Sequence, residues 1–257
     1  MLKTICFDLD DTLLWDKKSI QTAFDKTCES VEGVDSKALE EAVREAARRL
    51  YQTYPTYEHT QMIGINPFEG LWGTFDDPGE TFQSMKETIP GYQLNAWKEG
   101  LLAIGIDDET LAIELREKFI FERKQHPFTY EETYEVLDAL KDDYTLLLLT
   151  NGASSLQRTK LKITPEIAER FDHIVISGEF GRGKPDPAIF EHALKLADTN
   201  KEDAIMIGDN LNTDILGSNR LGMKNIWINH HNQTATDIQP TYEVKRLNEV
   251  LPIIKRL

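Results

Sequence analysis

The sequence predicts an α/β fold, a doubly wound parallel sheet interrupted by an α-helical insertion, and three observations point there. Five strand-length apolar runs, at 4–7, 144–149, 173–176, 204–207 and 225–228, are rich in Ile, Leu and Val. They are nearly continuous rather than alternating, as strands buried on both faces of a parallel sheet must be. Helical patterns separate most of them, which implies right-handed βαβ units. One interval breaks the alternation: from 15 to 126 helical patterns continue without a convincing strand.

The first run, Thr4-Ile5-Cys6-Phe7, ends in a cluster of acids. Within the interval that follows, 20–31, 36–54, 93–100 and 108–123 read as helices, with Gly- and Pro-bearing loops at 64–67 and 75–79. This pattern divides the chain into a sheet domain, 1–14 plus 127–257, and a helical cap domain, 15–126, expected over the carboxyl edge of the sheet. Ligands of doubly wound sheets bind at that edge. After the third run, Asp186 is the predicted N-cap of a helix opened by Pro187, with Ile189, Phe190, Ala193, Leu194 and Ala197 on one face.

Composition restricts function. With 29 Lys and Arg against 44 Asp and Glu, the chain of 257 residues carries a net charge of −15 and repels phosphate backbones and anionic membranes. No nucleic acid or membrane partner is expected, and an anionic substrate requires local positive charge from a metal or a few placed Lys and Arg. The cysteines, Cys6 and Cys28, form neither a metal-ligand spacing nor a disulfide framework, and a reducing compartment is the simpler reading. The first residues lack an apolar stretch of signal-peptide or membrane-spanning length, so the expected location is cytoplasmic.

Four short segments carry chemistry. Phe7-Asp8-Leu9-Asp10-Asp11-Thr12 crowds three carboxylates onto one strand end, and a hard divalent cation such as Mg2+ offsets that repulsion. Leu148-Leu149-Thr150-Asn151-Gly152 brings a hydroxyl and backbone N–H groups to the same edge; they suit phosphoryl oxygens, and equally an ordinary turn. Gly181-Arg182-Gly183-Lys184-Pro185-Asp186-Pro187 holds a lysine in a stiff loop, either as a point charge for a transferring phosphoryl group or as a solvated lysine. Ile207-Gly208-Asp209-Asn210-Leu211-Asn212-Thr213-Asp214 adds acids that converge with Asp8 and Asp10 on one ion, or that serve a helix opened at Asn212 or Thr213.

In this order and on these strand ends, Asp8, Asp10 and Thr12, then Thr150, then Lys184, then Asp209 with Asp214, the chain resembles the haloacid dehalogenase superfamily. The insertion resembles the helical cap type placed directly after the first motif. The resemblance implies a Rossmann-like core and an aspartyl-phosphate mechanism: Asp8 as nucleophile, and Asp10 as acid and then base. It implies Mg2+ held by Asp8, the Asp10 backbone carbonyl and Asp209. Thr150, Asn151 and Lys184 would hold the phosphoryl oxygens, with Thr12 in support and Asp214 orienting Lys184 or metal-bound water.

A departing halide needs no proton, so Asp10 favours phosphoryl transfer over dehalogenation. The implied substrate is a small phosphorylated metabolite. The pattern is similar to a bacterial group containing phosphoserine, nucleotide and acylneuraminate phosphatases, with a lean to phosphoserine. The same core also fits a sugar-phosphate mutase or a binding protein that has lost catalysis. Arg44, Arg48, Tyr54, Tyr57, His59, Trp72 and Arg123 are cap residues that could face the site, and the sequence assigns them no role.

Overall fold

In a computed structural model that describes residues 1–234 and 237–257, the chain forms a six-stranded parallel sheet and a set of helices. The strands are β1 Thr4–Phe7, β2 Thr145–Thr150, β3 His173–Ile176, β4 Ala204–Gly208, β5 Lys224–Ile228 and β6 Tyr242–Val244. Their order is β3-β2-β1-β4-β5-β6, with every neighbouring pair parallel. The chain winds outward from β1 in one direction through β3 and in the other through β6, so the order reverses between β1 and β4. Side by side at that reversal, Phe7 pairs with Leu148 on one flank and with Ile207 on the other.

All five expected strands are present within a residue or two, and β6 is additional. Its three residues, Tyr242 to Val244, include only one fully buried side chain, too little apolar signal to mark a strand. The inner strands are different. Ile5, Phe7, Leu146 to Leu149 and Ile205 to Ile207 are fully enclosed, and each large side chain so buried contributes about 1.5–3 kcal/mol. One face of the sheet is closed by the helix Pro187–Leu196, which packs Ile189, Phe190, Ala193 and Leu194 against Cys6, Leu147, Leu149 and Met206. Asp186 caps that helix, as expected, accepting from the Ala188 amide at 2.9 Å.

The chain divides into two compact units, Met1–Asp16 with Phe128–Gly152 and Thr164–Leu257, and Lys17–Pro127 with Ala153–Ile163. Residues 153–163, read as part of the sheet domain, group with the helices, because Ala153 and Leu156 join a core containing Phe24, Val43, Trp72, Trp97 and Phe119.

The expected helix at 93–100 is the end of a longer one, Glu80–Ala103, which continues through Pro90. Gly100 there lets the helix Ser36–Tyr51 approach closely, since a Cβ would sit 2.4 Å from Val43 Cγ2. Lys160 and Glu69 form a buried ion pair at 2.9 Å within this unit. Among the described residues no helix is long and apolar enough to cross a membrane.

Candidate active site

The carboxyl ends of β1 and β4 and the loop bearing Lys184 bring Asp8, Asp209, Asp214 and Lys184 together. Each arrives for a local reason. Asp8 continues β1 by one residue, its amide donating to the Ile207 carbonyl at 2.9 Å. The backbone then turns sharply: Asp11 adopts φ 57°, and the amides of Leu13 and Leu14 return to the Leu9 carbonyl. This turn buries Thr12, whose hydroxyl lies 3.5 Å from Asp8 Oδ2 and accepts the Asp209 amide at 3.1 Å. One side chain thereby links the first and last motifs.

Lys184 is the centre of the arrangement. Its buried ammonium lies 2.6 Å from Asp8 Oδ1 and 2.7 Å from Asp214 Oδ1, and it donates to the Leu149 carbonyl at 2.7 Å. Burial alone would lower its pKa, but the carboxylates of Asp214 and Asp8 outweigh that effect and raise it, so the ammonium stays charged. Burial is the largest influence on Asp8 and pushes its carboxyl up to about 6; Lys184 pulls it down and Asp214 pushes it up again. Burial likewise pushes the neighbouring Cys6 thiol up to about 12. Cys6 and Cys28 are both free and buried.

Asp214 reaches the cluster from a π-helical turn, Leu211–Ile215, a conformation frequent at functional sites. Its second oxygen accepts the Asn210 amide at 3.1 Å. The helix opens from Asn210, which caps it through Asn212 N, rather than from Asn212 or Thr213 as the sequence suggested. Gly208 makes room for this packing, because a Cβ there would fall 2.2 Å from Asp214 Oδ2. Trp227 on β5 donates its indole N–H to the Asp209 carbonyl at 2.8 Å and fixes the end of β4.

Oxygen atoms of Asp8, Asp209 and Asp214 lie within 4.8 Å of one another. Asp214, expected only in support, is thus one of the three, whereas the Asp10 carboxylate is not among them. Thr150 ends β2, buried, in register with Ile176.

Asn151, expected on phosphoryl oxygens, spends its side-chain amide elsewhere. Its Nδ2 donates to the Lys184 carbonyl at 2.9 Å and its Oδ1 accepts the Lys184 amide at 2.8 Å, which clamps the lysine loop. Gly183 permits the clamp, since a Cβ would approach Asn151 Oδ1 to 2.7 Å. Sequence reasoning missed the Leu149 carbonyl and Trp227; glycine directly before an acid, as at Gly208, was the one available signal of close packing.

The arrangement can hold a divalent cation and an anion together. Three carboxylates, of Asp8, Asp209 and Asp214, gather around one ammonium in a largely buried place. An all-oxygen donor set of this kind suits Mg2+.

Comparison with known proteins gives the same direction. The sequence profile described as hydrolase, haloacid dehalogenase-like hydrolase, matches residues 2–222. The chain is 32% identical over 229 residues to a phosphoserine phosphatase of Thermus thermophilus, covering 88% of each chain. It is 31% identical over 183 residues to an N-acylneuraminate-9-phosphatase of Mus musculus, covering 69% of this chain and 73% of that protein. Among solved structures it resembles the HAD-hydrolase YfnB of Bacillus subtilis bound to magnesium, with a TM-score of 0.69 at 20% identity over 98% of both chains. It also resembles a 2-haloacid dehalogenase of Pseudomonas syringae, with a TM-score of 0.61 at 25% identity over 100% of this chain and 99% of that one.

Proposed function

This chain belongs to the haloacid dehalogenase-like hydrolase family, and we propose that it is a Mg2+-dependent phosphatase of small phosphomonoesters that works through an aspartyl-phosphate on Asp8. The observation that carries the reading is the surplus negative charge around Lys184: a buried ammonium outnumbered by carboxylates is built for an added cation and an anionic substrate. Asp8, Asp209 and the Asp10 carbonyl would hold Mg2+, with Asp214 beside them tied to Lys184. Bound there, Mg2+ supplies the charge neutralisation that lets a phosphoryl dianion approach a carboxylate.

The protein groups perform the two halves of the reaction. The Asp8 carboxylate attacks phosphorus as the bond to the leaving oxygen breaks, and Asp10 protonates that oxygen. Asp10 then takes a proton from water, the water attacks the phosphoryl group, and the bond to Asp8 breaks to release inorganic phosphate. Lys184 holds phosphoryl charge with no reorganisation, because the Asn151 clamp and the Leu149 carbonyl already fix it. Thr150 contributes its hydroxyl and Thr12 keeps Asp8 and Asp209 in register.

Phosphoserine is the favoured substrate, on the match along 88% of a phosphoserine phosphatase; an acylneuraminate phosphate is the next. The reading also sets aside dehalogenation despite the dehalogenase folds among the structural relatives, because Asp10 supplies the proton that an alkoxide needs. Replacing Asp8→Asn, assayed with p-nitrophenyl phosphate and Mg2+, is expected to lower kcat by more than about 10^4-fold with the fold intact. Turnover retained in that variant overturns the nucleophile assignment. A panel of phosphorylated metabolites compared by kcat/KM, with phosphoserine ahead, tests the substrate.

A further inference from the structure

A second place in the sheet unit has the makings of a binding site. Near β5, the rings of Trp15, Tyr130 and His230 lie almost parallel: Trp15 and Tyr130 have centroids 5.4 Å apart at 12°, Tyr130 and His230 4.3 Å apart at 13°. They line an open bowl of about 530 Å3, within the size range of small-molecule sites. Trp15 keeps 37% of its surface exposed, whereas Trp72, Trp97 and Trp227 are buried. Three aligned rings with an accessible end are a platform on which a fourth planar ring can continue the stack.

The charges around the bowl choose the ring's substituent. Glu131 and Glu132 are engaged by Arg246, whose guanidinium reaches Glu132 and lies 3.6 Å from Glu131. Lys245 lines the same bowl, and among the described residues its ammonium has no ion-pair partner. Exposed His231 adds a second donor to that rim. Glu131 and Glu132 against Arg246 and Lys245 leave the lining with no net charge on a chain of net charge −15, and Lys245 is the lining cation placed to meet an anion. The bowl also adjoins the catalytic edge. Tyr130 takes its position from the Leu13 carbonyl through its amide, and its phenol, raised in pKa chiefly by burial, also feels the charges of Asp11 and Asp209.

We propose that this bowl binds a planar heteroaromatic ring carrying an anionic group, of about nucleoside monophosphate size, with the ring on the Trp15–Tyr130–His230 stack and the anion at Lys245. The site stands independently of the phosphatase reading. Such a ligand has two sources, the leaving group of a ring-bearing substrate or a separate effector, and inhibition kinetics tell them apart.

The test is calorimetric titration of the full chain, in EDTA, with adenosine 5'-monophosphate and with ribose 5-phosphate, which carries the same phosphate and no ring. Adenosine 5'-monophosphate is expected to bind at least about tenfold more tightly. Trp15→Leu or His230→Ala is expected to erase that difference, and Lys245→Ala to weaken the nucleotide while leaving adenosine unchanged. Lys245 is exposed, so its variant keeps the test available if a ring variant misfolds.

Equal affinity for the ringed and ringless phosphates, or nucleotide affinity unchanged in the folded Lys245→Ala variant, overturns the proposal. With acetyl phosphate as a ringless substrate, competitive inhibition by the nucleotide identifies the leaving-group source, and non-competitive inhibition the separate ligand. Failure of acetyl phosphate turnover in the wild type would count against the phosphatase reading alone, because ring binding is measured without turnover.

Discussion

Two buried lysines, one in each unit, show how the same ion-pair chemistry serves different ends. Lys160 meets Glu69 at 2.9 Å, and the other Glu69 oxygen accepts the Asn66 amide at 2.9 Å, so both oxygens of this buried carboxylate are engaged. Lys184 meets two carboxylates, of Asp8 and Asp214, at 2.6 and 2.7 Å, with that of Asp209 close by, so one ammonium is outnumbered. A carboxylate engaged on both oxygens beside one lysine needs nothing further. An outnumbered ammonium has room for another cation, and on the proposed function that surplus separates the reactive centre from the structural pair.

The largest effect that would break this comparison is thermal. Removing either lysine strands buried carboxylate charge, so Lys160→Met and Lys184→Met in EDTA are each expected to cost about 3–5 kcal/mol of stability. Adding Mg2+ separates them. Saturating cation stabilises a site it binds, by about 2.7 kcal/mol at a hundred times its dissociation constant. Lys184→Met is expected to recover Tm in Mg2+, and Lys160→Met is not. Equal responses of the two variants, read by scanning calorimetry, would show that the carboxylate surplus is not a cation site.

A smaller effect sharpens the structural side. In the double variant Glu69→Leu with Lys160→Met both charges leave together, and apolar atoms of similar volume replace them. Stability within about 1 kcal/mol of wild type, or above it, is expected, since a buried pair often only balances its own desolvation. Denaturant titration of the double variant checks this, and a loss as large as that of Lys160→Met alone would mean that the pair does more than neutralise itself.

The sequence revealed more of one region than of the other. The strand ends were legible because continuous apolar runs such as Leu146 to Leu149 allow little but a buried parallel strand. Once the strands are parallel, their carboxyl ends must lie together, and Asp8, Thr150 and Asp209 follow. The helical unit resisted for reasons of partner choice. Leu156 and Leu161 would show the same periodicity on either unit, so nothing in the pattern of Ser154–Ile163 says which core it joins. Pro90 and Gly91 look like a break, yet the helix Glu80–Ala103 runs through them. Contacts through main-chain atoms were invisible for a further reason: that the Leu149 carbonyl receives Lys184 depends on backbone direction, not on the identity of leucine.

Trp227 gives the smallest and most local test of the overcharged region. Its indole N–H donates to the Asp209 carbonyl at 2.8 Å, one residue beyond β4. Trp227→Phe keeps an aromatic ring in the core and removes that donor. The expected stability loss is about 0.5–1.5 kcal/mol for the bond, with some addition for the smaller ring. If Asp209 is a metal ligand, its support matters more to the cation than to the fold, and outer hydrogen bonds of this kind are worth about 10–100-fold in metal affinity. Magnesium titration of activity should therefore shift to higher concentration while kcat at saturation changes little. A lower kcat with unchanged magnesium dependence would assign Trp227 to the packing of the sheet and remove Asp209 from the metal's ligands.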